Sequence, residues 1–130
     1  MAELTRIRLR LHFDNGLMFG PGKADILAAI AEHGSISAAG RAMGMSYKRA
    51  WTLVEEMNAA FRTPLVASTR GGAAGGGAHL TDEGRVVLQH YTHLMDRLRD
   101  AGAADIAAIG ALLADAGAEG AARDDVFTGK

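Results

Sequence analysis

The chain has 130 residues, enough for one domain with a short appendage, and 48% of them are hydrophobic, which suffices for a core. It contains no run of about 18 or more apolar residues, and its N-terminus lacks the basic and then apolar order of a signal peptide. We therefore expect no membrane contact and a cytoplasmic location. The absence of cysteine excludes disulfides and thiolate metal sites.

The charge is distributed unevenly along the chain, although the formal net charge is only −1. Residues 1–99 carry 12 Lys and Arg against 9 Asp and Glu, whereas residues 100–130 carry 2 against 6. The first part therefore has a modest basic excess. This is less than many nucleic-acid-binding domains show, so any contact with DNA must depend on the local placement of the cations.

The N-terminal segment Arg6–Phe13 alternates polar and apolar residues, which predicts a half-buried β-strand. The expected inward-facing residues are Ile7, Leu9, Leu11 and Phe13. The expected solvent-facing residues are Arg6, Arg8, Arg10 and His12. Asp14–Gly16 is a strong hairpin-turn signal, so Leu17–Phe19 is predicted to be the returning strand.

Three helices are predicted next, after a break at Pro21 and Gly22. They are Lys23–His33, Ala38–Met43 and Tyr47–Phe61. Ser37 and Ser46 suit the N-caps of the last two, because a serine hydroxyl can accept from an unpaired amide. Gly44 lies in the turn between those helices and can adopt a positive φ. A short helix, a turn and a second helix with a polar start are typical of a helix-turn-helix DNA reader.

The third helix has the polarity of a recognition helix. Its predicted buried stripe is Ala50, Val54, Met57 and Phe61. Its predicted exposed positions are Lys48, Arg49, Thr52, Glu55 and Glu56. The basic residues come first, where a recognition helix meets base edges and phosphates, so we assign Lys48 and Arg49 to DNA contact. We assign Tyr47 a contact role too, whereas Trp51 borders the buried stripe and is predicted to belong to the core.

A predicted wing follows the third helix. Candidate strands Leu65–Ala67 and Ala78–Leu80 flank the glycine-rich stretch Gly71–Gly77, whose backbone could approach a phosphate closely. Thr81 is expected to cap a long helix with an apolar stripe that either covers the core of the same chain or forms a dimer interface. That stripe is Val87, Tyr91, Leu94 and Leu98. Residues 117–130 have the composition of a disordered tail.

No catalytic or metal-binding pattern competes with this interpretation. The glycine run lacks the Gly-Lys-Ser/Thr ending of a nucleotide-binding loop, since Gly77 is followed by Ala78 and His79. His90 and His93 lie near Asp96 on one helix, without a companion motif. We therefore expect a protein that is not an enzyme and that holds no metal and no cofactor.

Several segments resemble the DNA-binding domain of the ModE family of molybdate-responsive transcriptional regulators, and the helix-turn-helix also resembles that of LysR-type regulators. The match covers roughly residues 5 to 98. The segments that carry it are Ser35–Ala39, Gly44–Lys48, Ala50–Trp51, Glu56–Asn58, Pro64–Val66, Gly71–Gly77 and Leu80–Gly84.

The resemblance implies a mainly α winged helix-turn-helix fold with small β elements, an N-terminal β-strand or hairpin, and a long C-terminal dimerisation helix. It implies a homodimer joined through the N-terminal strand region and that helix, which binds a near-palindromic operator in double-stranded DNA. The implied DNA-binding residues are Ser35, Ser37, Ser46, Tyr47, Lys48, Arg49, Thr52, Thr69, Arg70, Gly71 and Gly72.

The expected organisation is a DNA-binding domain at residues 1–98, with its wing at about 65–80 and its long helix at about 82–98. An Ala/Gly-rich helical extension and tail follow at residues 99–130. Family members continue into a pair of oxyanion-binding β-barrel modules that sense molybdate, and residues 99–130 are too few for one. We therefore expect the DNA-binding part without the molybdate-binding domain, and do not expect molybdate binding.

Two alternatives remain open at this point. The chain could be a protein–protein adaptor that pairs with a full-length regulator through the long helix. It could also be a small oxyanion-binding protein that uses the glycine loop and Arg70, since successive backbone amides can cradle anions.

Overall fold

The computed structural model describes residues 3–4, 6–69 and 76–114. The strands are β1 (Leu11–His12), β2 (Met18–Phe19), β3 (Val66–Thr69) and β4 (Gly77–Leu80). The helices are α1 (Pro21–His33), α2 (Ile36–Ala42), α3 (Tyr47–Ala60), α4 (Asp82–Ala101) and α5 (Ala103–Ala111). The chain divides into two compact units, Arg8–Leu94 and a second unit formed by Met1–Ile7 with Met95–Lys130. None of the helices in the described ranges is long and apolar enough to cross a membrane.

The N-terminal hairpin is shorter than the alternating pattern predicts. Leu11 pairs with Phe19 and His12 with Met18, and the strand ends there because Gly20 already caps α1. Residues 6–10 therefore have no partner strand. The prediction that Phe13 faces inward is wrong, since this side chain is 52% exposed at the start of the turn.

The hairpin turn is held by a side chain that also reaches α3. Asn15 Oδ1 accepts from the Leu17 amide at 3.0 Å, as expected for a turn asparagine. Asn15 Nδ2 donates to the Ala60 carbonyl at 3.2 Å, at the end of α3. One polar residue therefore stabilises the turn and fixes the hairpin against the end of a helix.

The three helices α1, α2 and α3 form the centre of the first unit. Ile26, Leu27 and Ile30 of α1 are fully buried. The predicted stripe of α3 is confirmed at Ala50, Val54 and Met57, and Leu53 joins it; Phe61 is half-buried beyond the helix end. A Cβ at Gly40 would lie 3.1 Å from the Cβ of Ala50, so the glycine in α2 allows the two helices to cross closely.

Two helix starts differ from the prediction, while the turn between α2 and α3 is confirmed. Helix α1 begins at Pro21, a residue preorganised for the first helical position, rather than at Lys23. The cap of α2 is Ser35 rather than Ser37, since the Ser35 hydroxyl accepts from the Ala38 amide at 2.9 Å. Gly44 has φ of 70°, in the left-handed region, as its place in the turn requires.

The wing strands are antiparallel and in register from Val66–Leu80 to Thr69–Gly77. Their base is held by hydrogen bonds from outside the sheet. Asn58 of α3 accepts from the Leu65 amide at 2.8 Å and the Val66 amide at 3.1 Å, and donates to the Val66 carbonyl at 3.1 Å. The amide of Ala78 donates to the Gly34 carbonyl at 2.9 Å, which ties β4 to the end of α1.

Helix α4 begins against the base of the wing. Thr81 Oγ1 accepts from the Gly84 amide at 3.1 Å, which confirms its predicted capping role, and donates to the Pro64 carbonyl at 2.7 Å. The Thr81 amide donates to the Leu65 carbonyl at 2.9 Å. Gly84 packs directly on that carbonyl, where a Cβ would overlap the oxygen.

Tyr91 is the only residue of the predicted α4 stripe that is buried. Val87 and Leu94 are half-buried, and Leu98 is exposed. The Tyr91 ring meets Phe19 edge to face at 5.2 Å, and its hydroxyl donates to the Leu9 carbonyl at 2.7 Å. Burial raises the pKa of Tyr91 above its usual value, the Asp25 carboxylate adds to the rise, and Arg8 opposes it.

The described part of the second unit consists of residues 3–4, 6–7 and the chain from Met95 to residue 114. It contains the end of α4 and all of α5, which begins after Gly102. No residue of α5 is buried, and the large apolar side chains Ile109, Leu112 and Leu113 are exposed. The predicted tail at residues 117–130 lies outside the described residues.

The close approach of Gly84 to Leu65 gives a stability prediction. Gly84→Ala should lower the free energy of unfolding by about 2–3 kcal/mol or more, because the added methyl group meets a backbone oxygen that cannot turn away. Urea unfolding followed by circular dichroism measures the change. Gly22→Ala is the matched control, since a Cβ there meets nothing within 4 Å and alanine favours the helix. Equal stability of the two variants would contradict the packing argument.

Candidate DNA-binding interface

The start of α3 is exposed and ordered by its cap. Ser46 has extended backbone angles and its hydroxyl accepts from the Arg49 amide at 3.1 Å, as predicted for an N-cap. Tyr47, Lys48 and Arg49 are exposed on the first turn, and Thr52 on the second is half-buried. These residues are therefore brought together on one short stretch of helix, with their side chains available to a ligand.

This part of the chain carries cations without acids. No Asp or Glu occurs between Glu32 and Glu55, an interval that contains α2, the turn and the first two turns of α3. Its cationic side chains are Arg41, Lys48 and Arg49, all exposed. A small protein with a net charge near zero thus presents a locally positive surface at the start of α3, which is the sign that a phosphate backbone attracts.

The prediction that Trp51 belongs to the core is wrong. Its side chain is 45% exposed, and it does not belong to the core. The reason is its angle on the helix, because Trp51 lies just beyond the border of the stripe formed by the buried residues Leu53, Val54 and Met57. Tyr47, four residues earlier on the same edge, is 56% exposed.

The two serines of the preceding helix have different local roles. The Ser35 hydroxyl is engaged as the cap of α2. Ser37 lies within the first turn of α2, and its hydroxyl accepts from the guanidinium of Arg41 at 2.8 Å. Arg41 is not among the binding residues predicted from the sequence. The absence of acids around it was the signal that could have identified it.

The predicted wing residues are only partly described. Thr69 is exposed at the end of β3 and pairs with Gly77. Arg70, Gly71 and Gly72 lie outside the described residues. The described strands nevertheless bring Thr69 into the unit that contains α3, because Asn58 of α3 binds the first residues of β3.

An ion pair that the sequence did not suggest joins α3 to α1. Lys23 is 7% exposed although it lies in the first turn of α1, and its Nζ is 3.2 Å from Glu56 Oε1. A buried ammonium requires a partner, because losing its water shell is costly. Glu56 therefore has a structural role, although the pattern indicated only an exposed position. Together with Asn58, it orients α3 from two sides.

The described residues add hydrogen-bond donors to this surface but no cluster of metal-binding side chains. No three His, Asp or Glu side chains are gathered there for a metal ion, and His90 and His93 are both exposed. Exposed hydroxyl, guanidinium and ammonium groups can donate hydrogen bonds to phosphate oxygens and to base edges in a major groove.

These features define a winged helix-turn-helix protein: a capped recognition helix, a short preceding helix at a glycine turn, and a two-stranded wing. Residues 23–85 match the profile described as "Bacterial regulatory helix-turn-helix protein, lysR family". This segment therefore matches a LysR-type helix-turn-helix domain, and the winged helix-turn-helix fold predicted from the sequence is confirmed.

The N-terminal part of the chain is also similar to proteins named for molybdenum binding, molybdenum transport or transcriptional regulation. It is 46% identical over 76 residues to the molybdenum-pterin-binding protein MopB of Rhodobacter capsulatus, covering 58% of this chain and 28% of that protein. It is 38% identical over 87 residues to the molybdenum transport protein ModE of Azotobacter vinelandii, covering 67% and 32%. Over the same length it is 39% identical to the DNA-binding transcriptional dual regulator ModE of Escherichia coli K12, covering 67% and 33%. The matches span about a third of the length of these relatives.

The ion pair between α1 and α3 can be tested without DNA. Glu56→Gln should lower the free energy of unfolding by about 1–2 kcal/mol, because it leaves the buried Lys23 ammonium without its carboxylate; the half-exposed Glu56 keeps the effect below that of a fully buried pair. Urea unfolding gives the value. Glu55→Gln is the matched control on the exposed surface and should change little.

Adding Lys23→Met to the Glu56→Gln variant should recover most of the loss, because the methionine fills the space without a charge. A double variant less stable than the Glu56→Gln variant would show that the ammonium is stabilised by something other than Glu56.

Proposed function

We propose that this protein is a sequence-specific transcriptional regulator that binds a near-palindromic operator in double-stranded DNA as a homodimer and acts on genes of molybdenum transport or metabolism. The observation that carries the proposal is the exposed, N-capped and acid-free start of α3 in a LysR-type helix-turn-helix domain. The described residues give no support to a catalytic role, and the relatives are named as regulators, transport proteins or binding proteins.

The reading surface is assigned to Ser46, Tyr47, Lys48, Arg49 and Thr52. A recognition helix enters the major groove with its N-terminal residues against the bases, and here those residues are polar or cationic and all except the half-buried Thr52 are exposed. Ser35 and Ser37 of α2, with Thr69, Arg70, Gly71 and Gly72 of the wing, are assigned to the flanking phosphates. Backbone contacts of this kind set the register of the protein on the duplex.

The dimer surface is assigned to the hairpin and α4. Between them, within the Arg8–Leu94 unit, lies an apolar groove of about 210 Å³ lined by Leu11, Phe19, Tyr91 and Leu94. Phe13 and Val86, the latter 48% exposed, also line it. Exposed apolar side chains of this size favour a partner, and the resemblance to ModE regulators implies that a second copy binds in this region.

The link to molybdenum rests on the names of the relatives and on the resemblance found in the sequence. The test is a gel-shift titration with a promoter fragment from molybdate-uptake genes against random DNA, at two salt concentrations, with and without molybdate. Specific binding that molybdate does not change is the expected result, since Arg70 and the glycine stretch are assigned to the wing. Binding no tighter than to random DNA would contradict the proposal, and co-purification of a longer regulator would then favour an adaptor.

The cations of α3 should control affinity. Lys48→Ala and Arg49→Ala should each weaken operator binding about tenfold or more. A residue that contacts phosphate should also reduce the slope of log affinity against log salt by about 0.9. Arg62→Ala is the matched control, because this exposed arginine follows the opposite end of α3. Unchanged affinity of the two α3 variants would exclude this surface as the reader.

The apolar groove should control association. Val86→Glu should shift the protein from dimer to monomer in sedimentation analysis, because a carboxylate would have to be buried between the two copies. Its operator affinity should fall in parallel, because a single copy contacts only one half-site. The two half-sites are expected to lie about 34 Å apart or at a multiple of that distance. Gln89→Glu places the same charge elsewhere on the exposed surface of α4 and should remain dimeric. Dimerisation of the Val86→Glu protein would place the interface elsewhere.

A further inference from the structure

Two aromatic side chains form an exposed edge on the recognition helix. Tyr47 and Trp51 are four residues apart in α3, so they lie one above the other on the same side of the helix. Both are about half exposed, and Trp51 is the only tryptophan of the chain. The described residues leave about half of each ring exposed, and adjacent exposed apolar side chains often mark a contact surface.

The position of Trp51 on α3 shows which neighbouring element this edge faces. Asn58 follows Trp51 by seven residues, which is almost two full turns, so the two lie at nearly the same angle. The Asn58 side chain binds the amides of Leu65 and Val66 at the base of the wing. The aromatic edge is therefore the edge of α3 on the wing side, and it extends from the exposed start of the helix.

The charges around this edge favour nucleic acid over a protein surface. Lys48 and Arg49 are its sequence neighbours, and the first acid along α3 is Glu55, one turn beyond Trp51. Apolar rings at a helix start that also carries cations suit a groove whose walls are phosphates and whose floor carries methyl groups. Because the Glu55 carboxylate repels phosphates, only the first two turns of α3 can approach them closely. Trp51 lies within these two turns.

We propose that Trp51, together with Tyr47, reads the C5 methyl groups of thymines in the major groove, and so makes Trp51 a specificity-determining residue of the operator contact. This inference rests on the proposed DNA-binding function. Thymine is the one base that presents an apolar group in that groove, and apolar side chains recognise it by contact. The exposed faces of the rings meet the methyl groups, while the Lys48 and Arg49 side chains reach phosphates or guanines.

The test removes the methyl groups one at a time. A duplex is first selected by the full protein from a random double-stranded library, and each thymine is then replaced by uracil, which differs only by the methyl group. At one or two positions per half-site the wild-type protein should lose about fourfold in affinity, the amount that corresponds to one buried methyl-sized group. Trp51→Ala should bind the thymine and uracil duplexes equally at a position that Trp51 contacts, and Trp51→Phe should retain part of the discrimination.

A structural role for Trp51 gives a different result. If the ring only supports the fold, Trp51→Ala would weaken binding to every duplex by the same factor and keep the preference for thymine, which would overturn the inference. Urea unfolding of the variants shows whether they are folded. Arg62→Ala serves as the control and should keep the full thymine preference.

The single tryptophan also reports its own environment. Its fluorescence should change on addition of the selected duplex, and acrylamide should quench it less in the complex. Duplex binding with unchanged accessibility of Trp51 would overturn the inference and leave the DNA-binding function standing. Failure to select any duplex would overturn both. If acrylamide quenching of Trp51 decreased as the protein concentration rose in the absence of DNA, the aromatic edge would be assigned to a protein partner instead.

Discussion

The backbone of residues 64–66 is the point on which the first unit depends. Asn58 binds it from α3, Thr81 binds it with both its amide and its hydroxyl, and Gly84 packs on the Leu65 carbonyl. These contacts satisfy buried backbone groups that would otherwise be costly. They also join the end of the recognition helix, the start of the wing and the start of α4 in one place. The geometry that DNA would meet therefore depends on a few side chains that never touch it.

The two halves of helix α3 have different roles: the first is exposed, and the second packs against the rest of the unit. Its first turns are free, capped by Ser46 and surrounded by cations. Further along, Glu56 pairs with the buried Lys23, and Asn58 holds the wing. Because these contacts fix the C-terminal half of α3, its N-terminal turns can be exposed and still be held in position. A preorganised reader loses less conformational entropy on binding than a flexible segment does.

Local patterns predicted the elements of the site well where one physical rule decided the outcome. Gly44 in the turn and the Ser46 cap followed from backbone preferences, and the stripe at Ala50, Val54 and Met57 followed from helical periodicity. Thr81 could be recognised as a cap because it precedes two acids and a helical pattern.

The errors arose where two local solutions were equally good or where a distant residue decided the outcome. Ser35 and Ser37 can both cap a helix, and the choice was not visible in a pattern that allowed either start. Trp51 lies at the border of the apolar stripe, where a small rotation separates burial from exposure. Lys23 is buried only because Glu56 lies 33 residues further along the chain, and no local rule contains that contact. The binding assignments themselves remain predictions.

The weak overall charge constrains how such a protein could select its site. A strongly basic domain binds any DNA through phosphates, whereas this chain has a formal net charge of only −1, and the proposed contact relies on a few cations at the start of α3. Non-specific affinity should therefore be low, and a single copy would bind poorly even at the correct sequence. Pairing two copies makes the second half-site contact effectively intramolecular, which raises affinity without added charge. Because few phosphate contacts are available, a larger share of the discrimination then falls on the base edges and methyl groups. Dimerisation through the apolar face of the hairpin and α4 would compensate for the small number of phosphate contacts. Methyl contacts by the aromatic edge of α3 would do so too.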